Sequence, residues 1–167
     1  MKELLITVAC LALLPTLTSV AQANEVCAGP QIGTWKLRSF VSEDLQTHAR
    51  RNPFGAHPTG YLFYGRDCRM YAIVVADNRK PPASSVASDT ESIELYRGLI
   101  SYSGTYEIEG DTVKHHIDAS WNQSWTGTIQ VRRWKIAEDV LRIQTLPAAS
   151  VLTGKRTTSV LVWVRAP

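Results

Sequence analysis

The sequence lacks the short motifs that mark the common enzyme classes. It contains no G-x-S-x-G elbow, no glycine-rich phosphate loop and no H-E-x-x-H zinc motif. Long runs of like charge are also missing, because 18 Lys and Arg are dispersed among 15 Asp and Glu, for a net charge of +3. This balance gives no case for nucleic acid as a partner and only weakly favours anionic ligands. No repeat, low-complexity tract or strong linker divides the chain, so we predict one domain.

Hydrophobic runs of membrane-spanning length are absent as well. The apolar stretch over residues 4–17 is interrupted by Pro15 and is shorter than the ~20 residues that a membrane helix needs. A lysine precedes this stretch and the small residues Ala21 and Ala23 follow it, which is the pattern of a secretory signal peptide cleaved after Ala23. We therefore predict a signal peptide at 1–23, a mature domain at 24–167, no stable membrane span, and an exported protein, periplasmic or secreted.

Cysteine is scarce, with three in the chain. Cys10 lies inside the predicted signal peptide. A lipid-bearing Cys10 is the alternative, but the three residues before it match a lipoprotein signal poorly. Cys27 and Cys68 remain as an even pair in an exported protein, so we predict a disulfide between them, with two buried thiols as the alternative. Their spacing fits neither a zinc knuckle nor a CxxC redox site.

Most of the chain after Ala23 is rich in Val, Ile, Thr and aromatic residues and is punctuated by Gly, Asp and Pro, which predicts strands. Eight strands are predicted at 33–42, 60–64, 69–76, 104–109, 112–120, 127–137, 140–146 and 158–165. A capping box at Ser88–Glu91 and apolar residues at helical spacing behind it predict one helix over 89–100, with its apolar stripe buried at a barrel mouth or wall.

The predicted fold class is all-β, an eight-stranded antiparallel barrel with one short helix. Eight strands in a chain of this length have to hide their edges, and closure into a barrel removes the edges completely. A two-sheet sandwich is the alternative. A barrel of this size has room for a packed core or for one small ligand.

Four segments carry a resemblance to a known family. Gly33-Thr34-Trp35 resembles the G-x-W signature of lipocalins, and the segments 52–64, 104–116 and 127–134 are similar, in the same order, to the bacterial and fungal lipocalin-like domain family. The similarity runs from about 32 to 165. The resemblance implies a calycin-type barrel with a central cavity, in which Trp35 closes one end and an arginine of the last strand, Arg165 first and Arg156 second, packs across that ring.

Neighbouring histidines stand on the predicted strand 112–120. Side chains alternate between the two faces of a strand, so His115 shares a face with the apolar residues Val113, Ile117 and Ala119, which is predicted to face inward. His116 shares the other face with polar residues, and this face is predicted to face solvent. The pair therefore cannot hold one metal ion from this strand, and we predict no metal site and no cofactor. His116 is predicted at the surface beside Asp118. His115 is left with three roles: a core histidine bonded to a tyrosine or the backbone, a ligand contact in the cavity, or a catalytic acid or base.

The strand 127–137 has one mixed face. If that face lines the interior, Gln130 and Arg132 become polar anchors beside Trp134 in a mostly apolar pocket, and Arg132 favours an acidic ligand such as a carboxylate. If the face is turned to water, these are ordinary surface residues. Tyr61 and Tyr106 are further candidates for ligand contact, although aromatic residues suit strands in general.

Trp121 and Trp125 flank a short loop at a barrel end. They are interpreted either as a plug of that end or as a clamp on a flat ligand.

Three functions are compatible with this pattern. The first is an exported protein that binds a small hydrophobic or amphipathic molecule, with His115, Gln130 and Arg132 setting its orientation. The second is a cyclase or isomerase that uses the same cavity, with His115 as proton shuttle. The third is a barrel with a filled interior that serves as a structural or partner-binding module.

Overall fold

The computed structural model describes residues 27–167, and the predicted signal peptide lies outside this range. The elements in order are β1 Gly33–Asp44, β2 Arg50–Arg51, β3 Thr59–Tyr64, β4 Arg69–Val75, α1 Asp89–Arg97, β5 Leu99–Glu109, β6 Thr112–Ser120, one 3-10 turn at Gln123–Trp125, β7 Ile129–Ala137, β8 Val140–Thr145, β9 Ala148–Ala149 and β10 Arg156–Arg165. Neither helical segment in this range has the length and apolar character needed to cross a membrane.

The strands form a closed antiparallel barrel. Each long strand pairs with its neighbours in the order β1, β3, β4, β5, β6, β7, β8, β10, and β10 pairs back with β1 from Trp35–Arg165 to Asp44–Thr157. This closure confirms the predicted eight-stranded barrel and excludes the two-sheet sandwich. The two-residue strands β2 and β9 pair antiparallel with β1 and β10, respectively, at one end of the barrel and were not predicted.

The helix differs from its prediction. The capping box at Ser88 and Glu91 is present, but α1 ends at Arg97 and is capped by Gly98, and the predicted last turn belongs to β5. The reason is that Ile100 is buried inside the barrel, where a strand and not a helix can place it. The prediction of a buried apolar stripe is wrong, since Ile93 is 52% and Tyr96 48% exposed.

A bulge in the β5–β6 ladder depends on one glycine. The pairs Ser103–Ala119 and Gly104–Ile117 leave Asp118 without an opposite residue. A β-carbon at position 104 would lie 1.8 Å from the carbonyl oxygen of His116, so only glycine permits this approach. The bulge also reverses the alternation beyond Ile117, which is why Ala119, predicted to face inward, is exposed.

One end of the barrel is closed by Trp35. Its ring is fully buried, its indole N–H donates to the carbonyl of Gln31 at 2.7 Å, and the guanidinium carbon of Arg165 lies 4.2 Å from the ring centroid. Arg165 also donates to the carbonyl oxygens of Ile32 and Pro30. Gly33, with φ of +121°, provides the backbone conformation that leads into β1 beneath this guanidinium.

We expect Arg165→Met to lower the free energy of unfolding by about 1–3 kcal/mol, because it removes the cation–π contact and two hydrogen bonds to carbonyl groups. Arg156→Met is the matched control, because Arg156 is the other arginine of β10 and is exposed; its expected effect is within about 0.5 kcal/mol. Urea unfolding followed by tryptophan fluorescence measures both. Equal effects of the two substitutions would contradict a closing role for Arg165.

The disulfide between Cys27 and Cys68 is confirmed. It joins residues 41 positions apart, with a Cα–Cα distance of 5.1 Å. The amide of Cys27 also donates to the carbonyl of Arg66 at 2.8 Å. The segment before β1 is thereby fixed to the turn between β3 and β4, at the end of the barrel that Trp35 closes.

Candidate ligand-binding cavity

The barrel encloses a cavity of about 280 Å³ that reaches the surface beside the exposed residues Ala148, Ala149 and Val151. Apolar side chains make most of its wall: Phe40, Leu62, Ala72, Val74, Ile100, Trp125, Ile143, Leu146, Leu152, Leu161 and Trp163. Its other lining residues include Tyr102, His115, Gln130, Arg132 and small hydroxyl residues. A mostly apolar pocket with a few placed polar groups is typical of a site for a small organic molecule.

Strand β6 brings His115 into this cavity. Val113, His115 and Ile117 are buried on the inner face, whereas His116 is on the outer face, where its Nε2 lies 3.0 Å from Oε1 of Glu107. The expected neighbour of His116, Asp118, instead bonds Arg69 across the outer surface. The barrel thus separates the two adjacent histidines into different environments.

Both ring nitrogens of His115 are bonded by tyrosines. The hydroxyl of Tyr64 lies 2.7 Å from Nε2, and the hydroxyl of Tyr102 lies 3.2 Å from Nδ1. Tyr64 is buried, and Nε2 is the one acceptor for its hydroxyl proton among residues 27–167. We therefore assign Tyr64 as donor to Nε2, and the Nδ1–H as donor to the oxygen of Tyr102. In this arrangement the hydroxyl hydrogen of Tyr102 is left to face the cavity.

Burial keeps these three groups neutral. Desolvation, with a further contribution from the Arg132 charge, lowers the pKa of His115 to about 3. Burial raises the pKa of the Tyr64 and Tyr102 hydroxyls. At neutral pH the cavity therefore presents an uncharged imidazole and uncharged phenols.

Strand β7 turns its mixed face inward, and Gln130 and Arg132 both line the cavity. Arg132 donates to the carbonyl of Val131 at 2.9 Å and to Oε1 of Gln130 at 3.1 Å, and its guanidinium carbon is 5.9 Å from the Trp125 ring centroid. Burial lowers the pKa of Arg132, but a guanidinium remains charged at neutral pH. Arg132 forms no ion pair with an acidic residue in the described range.

The model of the lipocalin-like domain family matches residues 32–166. The chain belongs to the lipocalin-like domain family. Neither the search of curated proteins nor the search of solved structures found a match.

The aromatic loop of this lipocalin-like domain stands above the cavity. The rings of Trp121 and Trp125 meet edge to face with centroids 5.0 Å apart, and Trp125 also contacts Tyr102 at 5.5 Å. Tyr96 of α1 reaches the outer side of Trp121 at 6.3 Å. Trp125 lines the cavity whereas Trp121 does not, so the two tryptophans occupy different layers of this end.

Three predicted ligand residues of the lipocalin-like domain do not line the cavity. Tyr61, a candidate for ligand contact, lies on the outside of the barrel with 44% of its surface exposed, because Leu62 and Tyr64 are the residues of β3 that face inward. Tyr106 is buried, but its hydroxyl donates to the carbonyl of Gly65 below the cavity. Trp134 is on the same inward face of β7 as Gln130 and Arg132, but it lies beyond the cavity floor. Its indole N–H donates to the carbonyl of Gly110.

Trp163 is a cavity residue that sequence reasoning missed. It is buried on β10, and its indole nitrogen has no hydrogen-bond partner within residues 27–167. The alternation of β10 back from Arg165 places it on the inner face and was the signal that could have found it. Because the indole nitrogen is itself buried, Trp163 contributes apolar ring surface to the cavity wall.

The cavity leads into a second, more polar space of about 370 Å³ at the mouth of the barrel. The two share Phe40, Leu152, Thr157 and Ser159 among their lining residues. The charged residues of the mouth are Arg51, Arg97, Lys155 and Asp44. Positive charge is therefore in excess at the entrance.

No cluster of three or more His, Cys, Asp or Glu side chains within residues 27–167 is arranged to hold a metal ion.

Proposed function

We propose that this lipocalin-like protein is an exported carrier that binds one small hydrophobic or amphipathic molecule inside its barrel. The observation that carries this proposal is the open, mostly apolar cavity. Apolar ligand surface removed from water contributes roughly 25 cal/mol per Å², which supplies affinity without any covalent chemistry. A structural module with a filled interior does not fit a cavity of about 280 Å³.

His115 acts in this proposal as a positioning residue. Its imidazole is held between Tyr64 and Tyr102, and it fixes the orientation of the Tyr102 hydroxyl at the cavity wall. Gln130 similarly holds Arg132 through its side-chain oxygen. The polar groups that a ligand meets are thus set before it binds, which reduces the entropy lost on binding.

Export is supported by two independent features. The first is the signal-peptide pattern of residues 1–23. The second is the Cys27–Cys68 disulfide, a bond that persists in oxidising compartments.

A cyclase or isomerase is the second candidate, because His115 has two titratable neighbours within hydrogen-bonding distance. The carrier accounts for the site better. Both ring nitrogens are already bonded, and a histidine whose pKa is about 3 is a weak base at neutral pH.

Filling the cavity should weaken binding of a neutral apolar probe. Ala72 is buried and lines the cavity, so we expect Ala72→Phe to weaken binding of the dye N-phenylnaphthylamine at least about tenfold by occupying its volume. Fluorescence titration measures this. Tyr71→Phe, on the outer face of the same strand, is the matched control and should leave dye binding unchanged.

Thermal unfolding of both variants verifies that the barrel is intact. Absence of dye binding to the native protein, or equal binding by native protein and folded Ala72→Phe, would reject a ligand site in the barrel.

A further inference from the structure

The guanidinium of Arg132 is a charged group in the low-dielectric interior of the barrel, and it lacks a counter-ion there. Its hydrogen bonds go to neutral oxygens, the carbonyl of Val131 and the side chain of Gln130, and no Asp or Glu is among the residues that line the cavity. A buried charge that lacks an opposite charge is unfavourable for the folded state. A bound anion would supply that charge and use the remaining N–H groups of the guanidinium, which carries five in a planar fork.

Tyr102 supplies a further donor at the cavity wall. The hydrogen-bond arrangement around His115 leaves the hydroxyl hydrogen of Tyr102 without an acceptor among the residues that the structure describes. A ligand that brings only apolar surface would leave this donor unpaired. A ligand with an acceptor oxygen would satisfy it.

The entrance of the cavity also carries positive charge. Arg51, Arg97 and Lys155 line the mouth, against one carboxylate, Asp44, which lies 3.5 Å from the amine of Lys155, so the two arginines remain in excess. Positive potential at a narrow entrance raises the local concentration of anions and speeds their entry.

From these observations we infer that the molecule carried in the barrel is a small amphipathic acid, with an apolar body along the aliphatic wall and a carboxylate at Arg132. This inference rests on the carrier function proposed above and names the chemical class of its ligand. Tyr102 donates a second hydrogen bond to the ligand, and the carboxylate offsets the charge of Arg132.

The test compares three ten-carbon probes that differ in the head group: decanoate, decanol and decylamine. Isothermal titration at about pH 8, where the carboxylic acid is ionised, measures each affinity. We expect native protein to bind decanoate at least about tenfold more tightly than decanol, because hydrogen bonds to a charged group are stronger than neutral ones. Decylamine should bind most weakly of the three.

Two neighbouring arginines provide matched variants. Arg132→Met should abolish the preference for decanoate over decanol, and it should melt no lower than native protein without ligand, because an uncompensated charge is removed. Arg133→Met should preserve the preference for decanoate, since Arg133 is on the outer face and pairs with Asp111. Arg132→Lys keeps the charge but loses the fork, and should retain part of the preference.

Three results would overturn the inference and leave the carrier function standing. One is equal or tighter binding of decanol by native protein. The second is an Arg132→Met variant that melts lower and weakens both probes equally, which would make Arg132 a structural residue. The third is absence of decanoate binding by a protein that binds the neutral dye. Failure of the dye as well as decanoate would reject the carrier function itself.

Discussion

Acidification from about pH 7 to about pH 5 is expected to lower the free energy of unfolding by about 2 kcal/mol. The cause is His115, whose pKa is about 3 in the folded barrel because of burial and the Arg132 charge. The unfolded chain, with an ordinary histidine pKa, binds a proton between about pH 6.5 and pH 3, whereas the folded protein does not. The stability that neutral His115 contributes is therefore fully present above this pH window and is lost as the pH falls through it.

His115→Gln tests this expectation, because glutamine can hydrogen-bond both tyrosines but does not titrate. We expect the variant to lose the slope between about pH 7 and pH 5, as measured by urea unfolding at a series of pH values. His116→Gln, one position along the same strand on the outer face, should keep the native slope. Equal slopes in native protein and His115→Gln would show that another group is responsible. Carboxylates do not account for a slope above about pH 5. Hydrogen bonds lower the pKa of Glu43, Asp44, Glu91 and Asp118, and the loss of stability that such groups cause begins only below about pH 5, where the carboxyl groups of the unfolded chain bind protons.

Loss of the disulfide is expected to be comparably costly. A cross-link between residues 41 positions apart lowers the conformational entropy of the unfolded chain, which stabilises the folded state by about 4 kcal/mol in the chain-entropy account. Removal of a native disulfide from a small domain usually costs about 2–5 kcal/mol. The double substitution Cys27→Ser/Cys68→Ser should therefore unfold at a much lower urea concentration. The closed barrel end is affected first, because the bond fixes the segment that leads to Trp35.

Reduction of the native protein with dithiothreitol is the control for the two serines. Reduction breaks the same bond without substituting either residue, so it should reproduce most of the stability loss seen in the double serine variant. Unchanged stability after verified reduction would mean that the disulfide is not a main determinant of stability.

The alternation of side chains along the strands was enough to predict much of the fold and part of the candidate site. The pattern around His115 placed it inside the barrel, and the resemblance of the G-x-W segment indicated the Trp35–Arg165 contact. The same alternation could have excluded Tyr61 as a ligand contact, because Leu62 and Tyr64 are the residues of that strand that face the interior. The exposed stripe of α1 shows the limit of periodicity: helical spacing over Ile93 and Tyr96 predicts a helix but not what covers it.

The partners of His115 could not be predicted from one sequence. Tyr64 is 51 positions away, and its contact depends on how β3 and β6 curve around the barrel. The depth of Trp134 is a similar case, since it shares a phase with Arg132 but lies below the cavity floor. The mouth is built by residues of separate loops and strand ends, Arg51, Arg97 and Lys155, which barrel closure brings together.

Native mass spectrometry of protein purified from its own host tests the central claim most directly. The account predicts a population whose mass exceeds that of the mature polypeptide by one small molecule, recoverable as an organic acid, and predicts that folded Ala72→Phe lacks it. A spectrum that contains the polypeptide mass alone would contradict the claim that this barrel carries a ligand.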